Sequence, residues 1–232
     1  MPKPKNKTQY EILQDVKYFD DITSCQIIMA IQKQSGECFE KEYYNQGDGI
    51  KENFVSGFLT ALSSFETVIS EQLGMESEGN QIKAIQYGDF SISIVDGELL
   101  RLALISSEPI GNLFRDKCKI LVDTYEEKHS YDLEKFRGDM DIFFDFRQEV
   151  EKQLDVKLNY KSKINAKSLE KYEGPKSVRK VLETMVKMGD EFYPVNLPPI
   201  LMREAELTET NAKYYTYDAY LWYVFEQIES PK

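Results

Sequence analysis

The sequence predicts a mixed α/β (α+β) fold: a five-stranded, mainly antiparallel sheet flanked by helices, with a small helical C-terminal extension. Two short runs, 27–31 (IIMAI) and 99–105 (LLRLALI), are almost continuously apolar, as strands covered on both faces are. Segments on either side of the second run carry apolar residues at helical spacing instead. Turn pairs, Ser35-Gly36 and Asp96-Gly97, stand where the strands must reverse.

Element by element, Ile12, Leu13, Val16 and Phe19 share one helical face and place a short helix over 8–20, behind a basic tail. The run from Cys25 is the first strand, and 37–44 (ECFEKEYY) returns beside it, with Cys38 set opposite about Lys33. Phe54, Phe58, Leu62, Phe65, Ile69 and Leu73 form a wide apolar stripe, so a long helix is expected over 51–73, ending at Gly74. A meander of three strands follows at 82–87, 90–95 (FSISIV, cleanly alternating) and 99–105. Pro109 opens a second long helix with Ile110, Phe114, Cys118, Leu121 and Tyr125 buried. After Gly138 a third helix carries Ile142, Phe143, Phe146, Val150 and Leu154.

The domain plan is an extension with a short helix at 1–21, a sheet domain at 22–158, a lysine-rich linker or solvated helix at 159–175, and a small helical region at 176–232. That last region holds a short helix at 176–188, a proline-rich turn and a final helix from about 208 to 228. So few residues make only a small core, which is expected to fold against the sheet domain or a partner.

Composition narrows the function classes. The chain has 232 residues, 41% of them hydrophobic, and 29 Lys and Arg against 40 Asp and Glu, for a formal charge of -11. An acidic average argues against nucleic acid as a partner, since duplex binding needs a basic footprint. Three cysteines do not make a disulfide scaffold. No run approaches the roughly 18 apolar residues of a membrane span, and no early apolar stretch reads as a signal peptide. A cytoplasmic protein is the expectation.

Chemistry-bearing residues are sparse. His129 is the only histidine and continues the buried stripe of the second helix. Cys25, Cys38 and Cys118 lack ligand spacing, and Gly47-Asp48-Gly49 lacks the pattern of a phosphate loop. Asp139, Asp141 and Asp145 suit a helix start better than a calcium loop. The expectation is therefore no catalytic residue, no cofactor and no metal. Arg101, inside a central strand, calls for a salt bridge to a neighbouring strand or helix.

Two features point instead to contact with another protein. Glu66 falls within the apolar arc of the 51–73 helix, either at its edge or as a polar anchor at a subunit contact. The final helix has one stripe of Tyr214, Tyr217, Leu221, Val224, Phe225 and Ile228, yet Tyr215, Tyr220, Trp222 and Tyr223 lie on its shoulders and far side. Aromatics all round a helix imply burial on more than one face, against the chain's own domain or against a partner.

The order of elements also resembles a known family. QIIMAIQKQSGECFEKEYY, ENFVSGFLTALSSFETVISEQLG and IKAIQYGDFSISIVDGELLRLALIS are similar to the hairpin, helix and meander of the longin domain, within the longin/roadblock superfamily. LFRDKCKILVDTYEEKHSYDLEKFRGDMDIFFDF resembles the two terminal helices of archaeal longin-like proteins. The resemblance spans about 25–155, with the order β-β-α-β-β-β-α-α; segment 8–20 departs from it, because a helix before the first strand belongs to a roadblock domain. It implies a non-enzymatic adaptor of vesicle-trafficking or GTPase-regulating type. The implied partner is a small GTPase or another longin/roadblock protein, and homodimers and peripheral membrane association through partners are compatible with it. The 51–73 helix and the 82–87 strand are the implied contact elements. The alternative is a purely structural subunit of a larger assembly that binds no GTPase.

Overall fold

The computed structural model describes residues 7–43, 84–87, 90–139 and 141–228. The expected 51–73 helix with Glu66, and Gly47-Asp48-Gly49 before it, lie outside the described residues. The chain is mixed α/β with two antiparallel sheets, and it divides into two compact units, Ser24–Leu154 and a unit formed by Met1–Thr23 together with Asp155–Lys232.

In Ser24–Leu154 the strands are β1 (Cys25–Gln32), β2 (Cys38–Tyr43), β3 (Ala84–Tyr87), β4 (Phe90–Asp96) and β5 (Leu100–Ser106), in the order β2-β1-β5-β4-β3. The two apolar runs are direct neighbours, with Ile28 opposite Leu104 and Met29 opposite Ala103. Ile27, Met29, Ile31, Ile92, Ile94, Ala103 and Ile105 form one buried cluster. Because side chains alternate along a strand, Ile28, Ala30, Leu102 and Leu104 face the other way, and they too are buried. Helix α2 (Asn112–Glu134) packs on β4 and β5 and buries Phe114, Cys118, Leu121, Val122 and Tyr125.

Several local readings change. Cys38 pairs with Ile31 and not with Lys33, because the hairpin reverses over residues 33–36, where the Gln32 N–H donates to the Glu37 carbonyl at 2.9 Å; a bulge between Ala30 and Ile31 shifts the register beyond it. Helix α2 starts at Asn112 behind Gly111, so Pro109 stands before the helix and not in its first turn. The third helix is broken into a 3-10 turn at Asp141–Phe143 and α3 (Phe146–Gln153), although Phe143, Phe146, Val150 and Leu154 are all buried as their spacing requires. Arg101 meets Asp96, its cross-strand partner, through Nε at 2.7 Å and Nη2 at 3.0 Å.

The other unit begins with α1 (Gln9–Ser24), whose last residue opens the sheet unit. Thr8 and Glu11 cap it reciprocally: the Thr8 N–H donates to the Glu11 carboxylate at 2.7 Å, and the Glu11 N–H donates to Thr8 Oγ1 at 3.3 Å. The chain returns to this unit through β6 (Ser162–Ile164), α4 (Ala166–Lys171), α5 (Lys176–Met188), β7 (Glu191–Phe192), α6 (Leu197–Glu204), α7 (Glu209–Leu221) and β8 (Phe225–Gln227), with strand order β7-β6-β8. Where a linker or solvated helix was expected at 159–175, β6, α4 and the residues flanking them contribute buried Tyr160, Ile164, Leu169 and Tyr172. Ile164, Leu169 and Tyr172 pack with Val178, Leu182, Leu197, Leu201 and Val224 into one core. The lysines that made the segment look solvated sit at the positions its apolar residues leave free.

The final helix ends seven residues early. Tyr223 takes a left-handed φ of 54°, and β8 then pairs with β6, Phe225 opposite Ile164. The Asn165 N–H donates to the Val224 carbonyl at 2.7 Å and the Ile228 N–H to the Lys161 carbonyl at 2.9 Å. The aromatic and β-branched content of this stretch suits a strand as well as a helix, and pairing with β6 decides between them.

Candidate interaction surfaces

The four aromatics singled out in the sequence divide by environment. Tyr215 and Trp222 are half-buried and pack against the core of their own unit, Trp222 edge-on to Tyr172 at 6.1 Å between centroids. Tyr220 is half-buried and stacks on Tyr217 at 6.3 Å. Tyr223 is 64% exposed, and Leu221 at the end of α7 is also exposed. Internal packing therefore accounts for most of the aromatic load of α7.

Behind those rings is a set of buried tyrosines and acids. Tyr217 donates to Asp155 Oδ2 at 2.9 Å and meets Tyr18 edge-on at 5.7 Å. Burial, reinforced by the Asp155 charge, raises the Tyr217 pKa, and burial with the nearby Asp218 raises that of Tyr172. Tyr214, less enclosed, is pushed up to about 12 by burial and then by Asp218. Burial also raises the Asp218 pKa, with Tyr172 and Lys7 partly opposing it. The Tyr172 hydroxyl makes no hydrogen bond of good geometry, yet it lies near enough to Asp218 for each to perturb the other. All four groups keep their protons more firmly than free side chains do, the reverse of an activated nucleophile.

In the sheet unit, His129 belongs to a polar knot that ties α2 to α3. Asp145 accepts from Tyr125 at 3.0 Å, is ion-paired to Lys128, and lies 3.2 Å from His129 Nε2. Burial works to raise the Asp145 pKa, but the bonds from Lys128 and Tyr125 and the His129 charge outweigh it and hold the carboxyl below its usual value. The Tyr125 and His129 rings lie 4.4 Å apart, and the backbone at His129 leaves helical geometry (φ -115°, ψ 21°). Asp145 thus serves both neighbours at once, a structural use of the only histidine. Cys25 and Cys118 are buried, and Cys38 is partly open to solvent. Among the described residues no cluster of three or more His, Cys, Asp and Glu is placed to hold a metal ion, and no helix is long and apolar enough to cross a membrane.

One surface went unnoticed in the sequence. The face of α5 opposite its buried Val178, Val181, Leu182 and Met185 carries Lys176, Lys180 and Lys187. Three lysines at i, i+4 and i+11 were a legible signal, masked by the acidic average of the chain. No protein-family model matches the chain, and no curated protein matches it.

Proposed function

We propose that the chain is a longin-like, non-enzymatic adaptor that binds a small GTPase or another longin/roadblock protein through the helix-and-sheet surface of Ser24–Leu154. The observation that carries this reading is the strand order β2-β1-β5-β4-β3, antiparallel at every pairing, followed by two helices. This is the arrangement a β-β-α-β-β-β-α-α chain makes when its first and last strands pair at the centre. Grouping of Met1–Thr23 with the C-terminal residues supports longin over roadblock, because the sheet unit then opens on its first strand.

In this order β3 is the last strand, and strand addition at such an edge gives affinity through the main chain while side chains set specificity. The groups that could do chemistry, His129, Asp145 and Tyr125, are committed to one another inside the fold. The test is to mix the full chain with a panel of small GTPases in both nucleotide states. Co-elution or an altered nucleotide-exchange rate is the expected result, and no change in either across the panel would count against the proposal. Concentration-dependent self-assembly without GTPase binding would favour a structural subunit.

A further inference from the structure

The acidic average conceals an uneven distribution. Residues 24–154 contain 13 Lys and Arg against 24 Asp and Glu, so the whole charge of -11 belongs to that unit; the other unit is balanced, with 16 of each sign. Within the balanced unit, residues 157–187 carry nine Lys and Arg against three Asp and Glu.

That basic segment contains two consecutive helices, α4 and α5, packed on one another and joined by residues 172–175. Gly174 sits in this turn under the Tyr172 ring, so close that a Cβ there would lie 2.2 Å from Tyr172 Cζ. Two helices joined by a short turn containing glycine share the connectivity of a helix-turn-helix, the motif whose second helix enters the major groove of DNA. The second helix here is 13 residues long, ends on Gly189 in a left-handed cap (φ 70°), and is anchored by four buried apolar side chains. Its outward face carries three lysines with Glu183 among them, the acid paired with Arg179. At about 100° per residue, Lys176, Lys180 and Lys187 fall within roughly 40° of one another around the axis. Ser177 and Thr184 are exposed beside them. Among the described residues none of these lysines has an ion-pair partner, nor do Lys167 and Lys171 on α4, whereas Arg179 reaches Glu183 at 3.9 Å.

We propose that α4 and α5 form a DNA-binding helix-turn-helix, with α5 in the major groove of a duplex and its lysines, joined by Lys167 and Lys171, on the flanking phosphates. Charge complementarity names the partner: five cations that make no ion pair among the described residues, spread over both helices of the motif, match a polyanion whose charges lie on both sides of a groove. A B-form major groove about 12 Å wide admits a helix, and the deep, narrow groove of A-form RNA does not. On the α6 side Glu204 and Glu206 line a groove shared with Lys180 and Thr184, so the phosphates are contacted from the α4 side.

The experiment uses the full chain and fluorescence anisotropy with a labelled mixed-sequence duplex of about 20 base pairs, titrated between about 50 and 200 mM salt. The triple variant K176E/K180E/K187E is compared with K119E/K135E/K152E, which makes the same change in net charge at exposed positions of the sheet unit. Circular dichroism melts confirm that both variants fold, and the milder K176Q/K180Q/K187Q covers a failure of the first. The α5 variant is expected to weaken binding by about 50-fold or more at the lowest salt and to flatten the log-log salt slope by about 3, one charge contact per lysine. The control should change affinity by less than about threefold, and a duplex RNA of the same sequence should bind about tenfold more weakly. Absence of duplex binding at the lowest salt, equal losses in the two charge variants, or equal binding of RNA and DNA would each overturn the proposal. So would binding to phosphatidylserine vesicles without binding to DNA, which would assign the basic face to a membrane.

Discussion

The Glu126 carboxylate accepts hydrogen bonds from the backbone N–H groups of Glu98, Leu99 and Leu100 at 3.1, 2.7 and 2.6 Å, and so clamps the β4–β5 turn onto α2. Gly97 lies directly in its path: a Cβ there would sit 2.3 Å from Glu126 Oε1. Positive φ is found at Gly36, Gly138 and Gly189 but not at Gly97, so its backbone suits alanine and only the carboxylate stands in the way. Gly97→Ala should therefore expel Glu126 and lose all three bonds. At about 1 kcal/mol for each bond at this half-exposed site, the cost is about 3 kcal/mol, as it is for Glu126→Ala. With Glu126 already removed, Gly97→Ala should be neutral or stabilise by about 0.5 kcal/mol through a less flexible unfolded chain. The double-mutant cycle then has a coupling of about 3 kcal/mol. Urea unfolding of the four proteins measures it, and amide exchange at Leu99 and Leu100 gives the local readout. Additive losses, or unchanged protection at Leu100 in Gly97→Ala, would refute the clamp.

Other consequences are independent of that turn. Gly174→Ala would drive a methyl into the buried Tyr172 ring and should cost about 2 kcal/mol by overpacking, read as a fall in the urea midpoint. Asp145→Ala strips Tyr125, Lys128 and His129 of their shared acceptor and should cost about 3 kcal/mol. Because the folded Asp145 pKa lies below the ordinary aspartate value of 3.8, its contribution is complete above that pH and is lost as pH falls through the depressed folded value. Melts of wild type and Asp145→Ala should converge only in that acid range. Asp218 has the opposite sign: its folded pKa is raised, so its ionised form costs stability as pH rises through that value. Asp218→Asn should therefore raise the melting temperature at pH 7 and make no difference below 3.8, and a lower melting temperature at pH 7 would contradict this.

The pairing of the two apolar runs was legible because both faces of a central strand must be covered, which leaves an unbroken apolar signature at 27–31 and 99–105. The Arg101 salt bridge was legible for a related reason, since a guanidinium in such a strand needs a partner and Asp96 lies across the turn. Local pattern failed where a choice between two states depended on distant chain. Residues 222–228 could extend α7 or pair with β6, and their side chains favour neither strongly. Residues 159–175 read as solvated because lysines outnumber large aliphatics there, while Tyr160 and Tyr172 supply the buried bulk. Of the expected contact residues, Trp222 and Tyr215 pack inward, and only their position relative to β6 and α4 could decide that.

The sequence by itself determined which segments are strand or helix wherever one periodicity dominates, because covering a face in water imposes a fixed spacing on apolar residues. It also determined the sign of every charge, but not its neighbourhood. Only the tertiary structure decided that the first 23 residues join the last 78 in one unit, that β8 ends α7, and that the lysines of α5 stand exposed with no ion pair among the described residues. Each of those outcomes depends on contacts between residues far apart in the chain, and burial or Coulomb energy at such a contact exists only once the fold has brought the two sides together.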